Sequence, residues 1–446
     1  MKRILLRNGT IVNSCKITKM DILILSETIE QIGENLPIEN GVEILDCSGK
    51  LIFPGIIDSH THMGVPIKSG FSADNFETGT KSAVHGGVTT ILDFTILDEN
   101  QTLRQSIESR KFDAAKSICD YNLHCNITQY SEEILSEIPI LIETGITSFK
   151  IFTTYEEAGM MLYYEQIQRI AQAISAHDGL LMVHAEDDEI LRNAMLPFKT
   201  KFITDPFYHA LSRPDDAEAV AIQKIGEISE KTGCRIYIVH LSSAKGLETA
   251  KQFENLVVET CPQYLFLDEN IYKKDDGRMF VASPPLRKRH DNDELWGGIL
   301  DGSISTIGTD HCPFFEKPRE IHFSDIPNGI GGVETLFPIL LAQWILRKLD
   351  LRLLSKLLCK NPANVFGLSH RKGTIQIGKD ADFAIVNPKE IHMNWENSLV
   401  SAVNWNAFTN FPACFPNHVF RRGDWIVKDS RLQTGSKGVF VKSKFP

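Results

Sequence analysis

The pattern of apolar and polar positions divides the chain into three parts. The first part, residues 1–52, holds short apolar runs broken by turns, which is typical of a small β module; the runs are Ile4–Leu6, Ile22–Leu25, Ile29–Ile32 and Val42–Leu45. After it, short β-rich runs alternate with longer segments of helical periodicity, as in parallel βαβ units. From about residue 371 the pattern returns to short strands and turns, at Gly373–Pro388 and Phe420–Val427.

The middle part contains eight apolar runs that we predict as parallel strands. They are Leu51–Asp58, Thr89–Phe94, Leu123–Thr128, Thr147–Phe152, Leu180–His184, Ile236–Leu241, Leu256–Thr260 and Ser305–Thr309. Helical segments are predicted between them at Ala73–His85, Leu103–Ile118, Glu132–Ile142, Tyr163–His177, Asp215–Thr232 and Lys245–Phe253. Eight β/α repeats predict a closed (β/α)8 TIM-like barrel over residues 53–370, a span that exceeds the roughly 250 residues such a barrel needs.

The two ends of the chain are each too short to form a stable sheet alone. We therefore expect residues 1–52 and 371–446 to combine in one small β-sandwich domain beside the barrel.

Composition and charge narrow the class of protein. Lysine and arginine total 47 against 57 acidic residues, a net charge of −10 with the basic residues scattered, so a nucleic-acid partner is not expected. No stretch approaches the roughly 18 apolar residues of a membrane span, and the first residues lack the apolar core of a signal peptide. Nine cysteines at unrelated spacings indicate reduced thiols. These features predict a cytoplasmic enzyme without a membrane partner.

Residues of the types that bind metals follow the predicted barrel strands. In a (β/α)8 barrel the active site lies at the carboxyl ends of the strands, and the residues found there are His60, His62, Lys150, His184, His240 and Asp310. Histidines two apart in an extended chain point to the same side and can face one ion. A single such pair is often structural, but this joint placement predicts a metal centre. Among the other histidines, His209 and His311 are left open, and the rest are expected in packing or surface roles.

Lys150 lies within an apolar strand, where burial disfavours the ammonium and lowers its pKa. A neutral amine can add carbon dioxide, and the resulting carbamate can bridge two divalent cations. The alternative for an isolated lysine is a buried ion pair, but the surrounding ligand set favours the carbamate.

Nitrogen and oxygen ligands without thiolates favour Zn²⁺, although manganese, cobalt or iron suit the same set. Two such ions activate water and polarise a carbonyl, which predicts hydrolysis. Asp310 is then expected to serve as a ligand and as the proton carrier between the attacking water and the leaving nitrogen.

These motifs resemble the hydantoinase/dihydropyrimidinase family of the amidohydrolase superfamily, over nearly the whole chain. The segments that carry the resemblance are PGIIDSHTHM (54–63), FETGTKSAVHGGVTTILDF (76–94), TSFKIF (147–152), LLMVHAED (180–187), HALSRP (209–214), IVHLSSAKGLE (238–248), ETCPQYLFLD (259–268), SPPLR (283–287), GTDHCPF (308–314) and PNGIGGVET (327–335).

The resemblance implies a binuclear zinc enzyme that opens a cyclic ureide to an N-carbamoyl amino acid. By similarity, one metal is bound by His60, His62 and Asp310, the other by His184 and His240, and carboxylated Lys150 bridges them. Tyr155 matches the tyrosine that hydrogen-bonds the developing oxyanion. Ser283 and Asn328 match the positions that hold the ureide edge of the substrate.

Neighbouring families leave alternatives. Dihydroorotases and allantoinases also resemble this chain, but dihydroorotases usually follow the His-x-His pair with an arginine that binds a substrate carboxylate. Here Met63–Pro66 follows, and the nearest cation, Lys68, is expected to be solvated. A non-enzymatic binding protein of the same fold is the least favoured reading, because all six ligand positions are present.

Four further features of the sequence give open expectations. The segment after Tyr155 looks shorter than the corresponding family loop, and Asp187 and Asp188 stand where an Asn-Gly-like pair is usual. Phe71, Phe152, Met161 and Leu162 are candidates for an apolar pocket, with core packing favoured for each. The tail, about 435–446, resembles one that contacts a neighbouring subunit, which implies a homo-oligomer (tetramer or dimer).

Overall fold

A computed structural model describes residues 2–38, 40–67, 70–98, 101–433 and 436–445. Lys68 therefore lies outside the described residues. In chain order, strands β1 to β19 are Arg3–Val12, Ile17–Leu25, Thr28–Gly33, Glu43–Asp46, Leu51–Pro54, Ile56–Thr61, Pro66–Ile67, Gly70–Phe71, Val88–Phe94, Asp120–Asn126, Ser148–Phe152, Leu180–His184, Ile236–Ile238, Leu256–Thr260, Thr306–Ile307, Phe383–Val386, His418–Arg421, Asp424–Lys428 and Arg431–Leu432.

Helices α1 to α13 are Phe76–His85, Leu103–Ala114, Glu132–Thr144, Tyr164–Ser175, Asp188–Met195, Phe207–Ser212, Asp215–Thr232, Ala244–Ala250, Pro262–Phe266, Arg289–Asp301, Leu336–Leu346, Leu351–Ser355 and Asn361–Val365. Short 3₁₀ turns lie at Glu156–Ala158, Glu269–Lys273, Gly277–Phe280, Phe323–Asp325 and Glu396–Ser398, and a π-helical turn at Lys356–Lys360.

The predicted barrel is confirmed as an eight-stranded parallel sheet. Its strand order is β6, β9, β10, β11, β12, β13, β14, β15, so each strand pairs with its neighbour in the βα series. Beyond β15 the chain returns to β6, where the His62 amide donates to the carbonyl of His311 at 3.0 Å. Strands in a parallel sheet are buried on both faces, and every residue of β6, β9 and β12 is buried.

Amphipathic helices cover the outside of the barrel. Helix α7 has its predicted bounds and buries one stripe, including Ala221, Ile222 and Ile225. It ends at Gly233, whose φ of 68° is a left-handed conformation that glycine adopts without a Cβ penalty. The helix is thereby held against the sheet and turns directly into β13.

Strands from both ends of the chain join in a second sheet, as predicted. Its order is β19, β18, β17, β16, β5, β1, β2, β3, with β4 also paired to β1. The two ends meet where β5 pairs antiparallel with β16, and apolar side chains of β1, β2, β5, β16 and β17 form a separate core that includes Ile4, Ile22, Ile52, Phe383 and Phe420.

One predicted strand divides between the two sheets. The run Leu51–Asp58 is β5 in the terminal sheet followed by β6 in the barrel, with Gly55 between them. A Cβ at Gly55 would lie 2.1 Å from the Thr89 hydroxyl oxygen, so only glycine fits this crossing. The apolar run is continuous because both halves are buried, which is why periodicity alone did not separate them.

The described part of the tail lies against the amino-terminal end of its own barrel. The Val441 amide donates to the Tyr121 carbonyl at 2.8 Å, and the Ser443 amide to the Gly145 carbonyl at 3.1 Å. Val441 is 1% exposed. Contact with a neighbouring subunit stays a prediction.

Lys372 connects the terminal sheet to the barrel. Its ammonium lies 2.6 Å from Asp120, 2.8 Å from Asp380 and 2.7 Å from Asp382, all buried. These three carboxylates are close enough to bind a metal, but Lys372 already supplies the cation. Of the helices that the structure describes, none has the length and apolar character to cross a membrane.

Candidate metal centre and active site

All nine residues singled out in the sequence line one cavity at the carboxyl ends of the barrel strands. The cavity has a volume of about 180 Å³, and its other lining residues are Val65, Phe152, Cys312 and Gly329. The nine are His60, His62, Lys150, Tyr155, His184, His240, Ser283, Asp310 and Asn328. The strand ends bring them together although they are spread over most of the chain.

His60, His62 and Asp310 form the first ligand group. The two Nε2 atoms lie 3.2 Å apart and lie 3.1 and 3.0 Å from Asp310 Oδ1. Two ligands about 2.1 Å from one tetrahedral ion lie roughly 3.4 Å apart. The measured spacings fit that requirement.

His184 and His240 form the second group. His184 Nδ1 lies 3.0 Å from His240 Nε2. His184 Nε2 donates to Glu186 Oε2 at 2.7 Å, so a neutral His184 presents its Nδ1 lone pair to the cavity. Two imidazole nitrogens facing each other at this spacing again fit a shared ion.

Lys150 lines the same cavity as the two groups and is buried, with 2% of its surface exposed. Its ammonium nitrogen lies 5.3 Å from the centre of the Phe94 ring and 5.1 Å from that of Phe152. No salt bridge to Lys150 exists among the described residues. Burial lowers the pKa of Lys150 to about 7, which favours the neutral amine that carbamate formation requires.

Strained backbone accompanies this centre. His240, Asp310 and Tyr155 have φ values of 39°, 54° and 71°, a region that non-glycine residues rarely adopt. Such strain persists only where the surrounding structure fixes it, and it concentrates at functional sites.

Two buried carboxylates that the sequence reasoning did not assign support the histidines. His60 Nδ1 donates to Glu259 Oε1 at 2.7 Å, so Nε2, which lies 3.1 Å from Asp310 Oδ1, is the ring nitrogen that faces the cavity. Glu259 also accepts from the hydroxyls of Ser59 and Tyr237, and Glu186 supports His184 in the same way. Carboxylate–histidine pairs of this kind orient metal ligands. Glu259 is the second-last residue of β14, so its position near a strand end was the signal available in the sequence.

Asp58 fixes the segment that carries Asp310. It accepts from the Thr309 amide at 3.0 Å and from the Thr309 hydroxyl at 2.6 Å. Burial raises the pKa of Asp58 to about 6.

Tyr155, Ser283 and Asn328 are the three lining residues of the nine that are not metal-ligand candidates. Burial raises the pKa of Tyr155, so its hydroxyl stays protonated and able to donate. The Ser283 hydroxyl is buried beside the Tyr155 hydroxyl, so the two polar groups lie together in the cavity wall.

The two histidines left open are structural. His209 Nε2 donates to the Ala282 carbonyl at 2.8 Å and so holds the segment that carries Ser283. His311 accepts from the amides of Gly332 and Val333 at 3.1 and 3.2 Å. Neither lines the cavity.

The remaining candidates separate by position. Phe152 lines the cavity, Leu162 is 3% exposed and packs in the core, and Phe71 is 70% exposed. Asp187 caps α5, where it accepts from the Ile190 amide, and binds the Lys224 ammonium at 2.7 Å. Its role is therefore to start a helix beside the site.

Similar proteins were found by family model, sequence and structure. Residues 51–426 match the amidohydrolase family. A D-phenylhydantoinase of Escherichia coli (strain SE11) is 37% identical over 99% of this chain and 98% of its own. The structure of a dihydropyrimidinase from Brevibacillus agri NCHU1002 has a TM-score of 0.95 and 30% identity over 100% of both chains. An L-hydantoinase (dihydropyrimidinase) from Arthrobacter aurescens has a TM-score of 0.90 and 26% identity over 99% of this chain and 100% of its own.

The chain belongs to the amidohydrolase family. Its similarity to hydantoinases and dihydropyrimidinases extends from end to end, which confirms the resemblance stated from the motifs and the fold expected from it.

Proposed function

We propose that this chain is a binuclear metal-dependent hydrolase that opens a neutral cyclic ureide, a dihydropyrimidine or a 5-substituted hydantoin, to an N-carbamoyl amino acid. The observation that carries the proposal is the convergence of all six ligand-type side chains with Tyr155, Ser283 and Asn328 on one cavity. Hydantoinase and dihydropyrimidinase relatives over the full length make the enzyme a hydrolase of cyclic amides.

The ligand groups suit two divalent ions, with zinc favoured by their nitrogen and oxygen donors. His60, His62 and Asp310 would hold one, His184 and His240 the other, and a carbamate on Lys150 would contact both. When bound, such ions lower the pKa of water and polarise the attacked carbonyl.

Asp310 is the proposed proton carrier. Its Oδ1 lies 3.1 and 3.0 Å from the Nε2 atoms of His60 and His62, so it faces the ligand group beside which the attacking water would lie. A carboxylate oxygen of Asp310 would accept the proton of that water. It then returns that proton to the leaving amide nitrogen of the ring.

Tyr155 and the opposite wall orient the ring. The protonated Tyr155 hydroxyl donates to the carbonyl oxygen as negative charge develops on it, a contact that strengthens in the transition state. Ser283 and Asn328, with their backbone groups, offer the donors and acceptors that an –NH–CO–NH– edge requires.

The charge of the cavity favours a neutral ring. Lys150 is the one lysine or arginine among the described lining residues, and as a carbamate it would carry no positive charge. Val65, which follows the His-x-His pair in the sequence, lines the cavity and carries no charge. A ring carboxylate would lack the cationic partner that burial demands, which disfavours dihydroorotate. Allantoin is neutral and remains the alternative substrate.

The test compares kcat/KM of the zinc-loaded protein for dihydrouracil, a 5-aryl or 5-alkyl hydantoin, allantoin and dihydroorotate. We expect dihydrouracil or the hydantoin to be best and dihydroorotate poorest. If dihydroorotate were the best substrate, both the charge argument and the hydantoinase/dihydropyrimidinase assignment would be wrong. If allantoin were the best substrate, only that assignment would be wrong. Full metal content without ring opening of any compound would instead support a binding protein.

We also propose a cytoplasmic homo-oligomer. All nine cysteines are free thiols and eight are buried, as suits a reducing compartment. Leu196 and Phe202, after α5, are 63% and 73% exposed, apolar surface that a second copy would cover. Light scattering of the purified protein distinguishes monomer, dimer and tetramer.

A further inference from the structure

Arg213 connects two parts of the site that the mechanism treats separately. Its guanidinium donates two hydrogen bonds to Glu186, from Nε to Oε1 at 3.1 Å and from Nη2 to Oε2. Glu186 is the carboxylate that accepts from His184.

The same guanidinium reaches Tyr155. Arg213 Nη2 donates to the Tyr155 hydroxyl oxygen at 3.3 Å, and its central carbon lies 5.2 Å from the centre of the tyrosine ring. An oxygen that accepts from Arg213 must direct its own proton elsewhere, and Tyr155 lines the cavity. The nearby cation also stabilises charge that shifts onto the tyrosine oxygen when it donates.

Local sequence and buried bonds fix Arg213 in this place. It follows α6 and precedes Pro214, and a residue before proline is displaced from helical conformation; its φ of −130° and ψ of 69° end the helix. Arg287 donates to the Arg213 carbonyl and, at 3.0 Å, to the Ser242 hydroxyl. Arg213 is not among the residues that line the cavity, so it would not contact the ring of a bound substrate.

We propose that Arg213 is a positioning residue that aims the Tyr155 hydroxyl into the cavity and couples it, through Glu186, to the metal ligand His184. This inference rests on the proposed function. It assigns one residue to both the oxyanion donor Tyr155 and the metal ligand His184.

The test is a double-mutant cycle between Arg213→Lys and Tyr155→Phe on the zinc-loaded enzyme. Lysine keeps a cation for Glu186, so no buried charge is orphaned, but its single ammonium does not reproduce the fork that serves two partners. We expect R213K to bind both metals and to lose about 10- to 100-fold in kcat, with KM changed by less than about threefold. In the Y155F background the same change should cost less than about threefold in kcat, because the partner hydroxyl is gone.

Arg192→Lys is the matched control, since Arg192 pairs with Glu156 and Asp188 beside the same loop without contacting Tyr155; its kcat should equal that of the wild type. The inference would be wrong if R213K lowered kcat by the same factor in the wild-type and Y155F backgrounds. It would also be wrong if R213K left kcat unchanged, whether or not KM rose. If R213K fails to fold, the charge-neutral pair E186Q/R213Q replaces it in the same cycle. A wild-type protein that binds metal but opens no ureide would refute the proposed function itself.

Discussion

Glu259 Oε1 lies 2.7 Å from His60 Nδ1 and 3.1 Å from the backbone amide of His240. One carboxylate at the end of β14 therefore orients a ligand of each proposed metal position. It is completely buried, and its other oxygen is satisfied by the hydroxyls of Ser59 and Tyr237.

Glu259→Gln should weaken metal binding about 10- to 100-fold. The neutral amide loses the negative charge beside His60, and its NH2 group places hydrogen-bond donors where Glu259 has an acceptor oxygen. Competition with a colorimetric chelator measures the affinity. Glu254→Gln, an exposed residue of the same segment, is the control. Equal affinity in both variants would show that Glu259 only packs.

Lys150→Ala should lose metal and activity together, because the bridging anion is removed. Short carboxylic acids such as acetate should restore part of both, since they supply the missing carboxylate. Lys379→Ala is the control, because burial also lowers the pKa of Lys379 but this lysine does not line the cavity. The K379A protein should retain its metal and its activity, and acetate should change neither. A K150A protein with full metal and full rate would make the lysine structural.

Tyr155→Phe should lower kcat by about 10²–10³ and leave metal content and KM nearly unchanged, because its hydrogen bond serves the transition state. Tyr163→Phe is the matched control: that hydroxyl is exposed and donates to Glu156 at 2.9 Å. A raised KM with unchanged kcat would reassign Tyr155 to ground-state binding.

Lys372→Met should destabilise the fold by about 3–5 kcal/mol, because it removes the cation that Asp120, Asp380 and Asp382 share. Asp382 has no other ion-pair partner among the described residues, whereas Asp120 keeps Arg422 and Asp380 keeps Arg371. Thermal unfolding measures the loss, with exposed Lys360→Met as the control. The carboxylates raise the pKa of Lys372, so its contribution is full below the unfolded lysine value of about 10.4 and is lost as pH rises beyond it. A K372M protein as stable as K360M would contradict this role.

The barrel and its mouth were predictable from sequence because both depend on local pattern. Strand and helix periods mark each βα unit, and the closure of the barrel then brings His60, Lys150, His184, His240 and Asp310 to one face whatever their separation in the chain.

What sequence did not supply depends on contacts between distant segments. Glu186 and Glu259 carry no spacing signal that separates them from other strand-end carboxylates, and Arg213 gains its role only when α6 brings it to Tyr155. The division at Gly55 was hidden because both sheets bury their part of one apolar run. The tail hydrogen-bonds to residues more than 300 positions earlier, a pairing that no local pattern encodes.

Metal analysis of the purified protein, with ring opening assayed before and after chelation, tests the central claim most directly. The account predicts close to two divalent ions per chain, loss of activity with a chelator and its return with zinc. A protein that contained no metal and still opened the ring at full rate would contradict it.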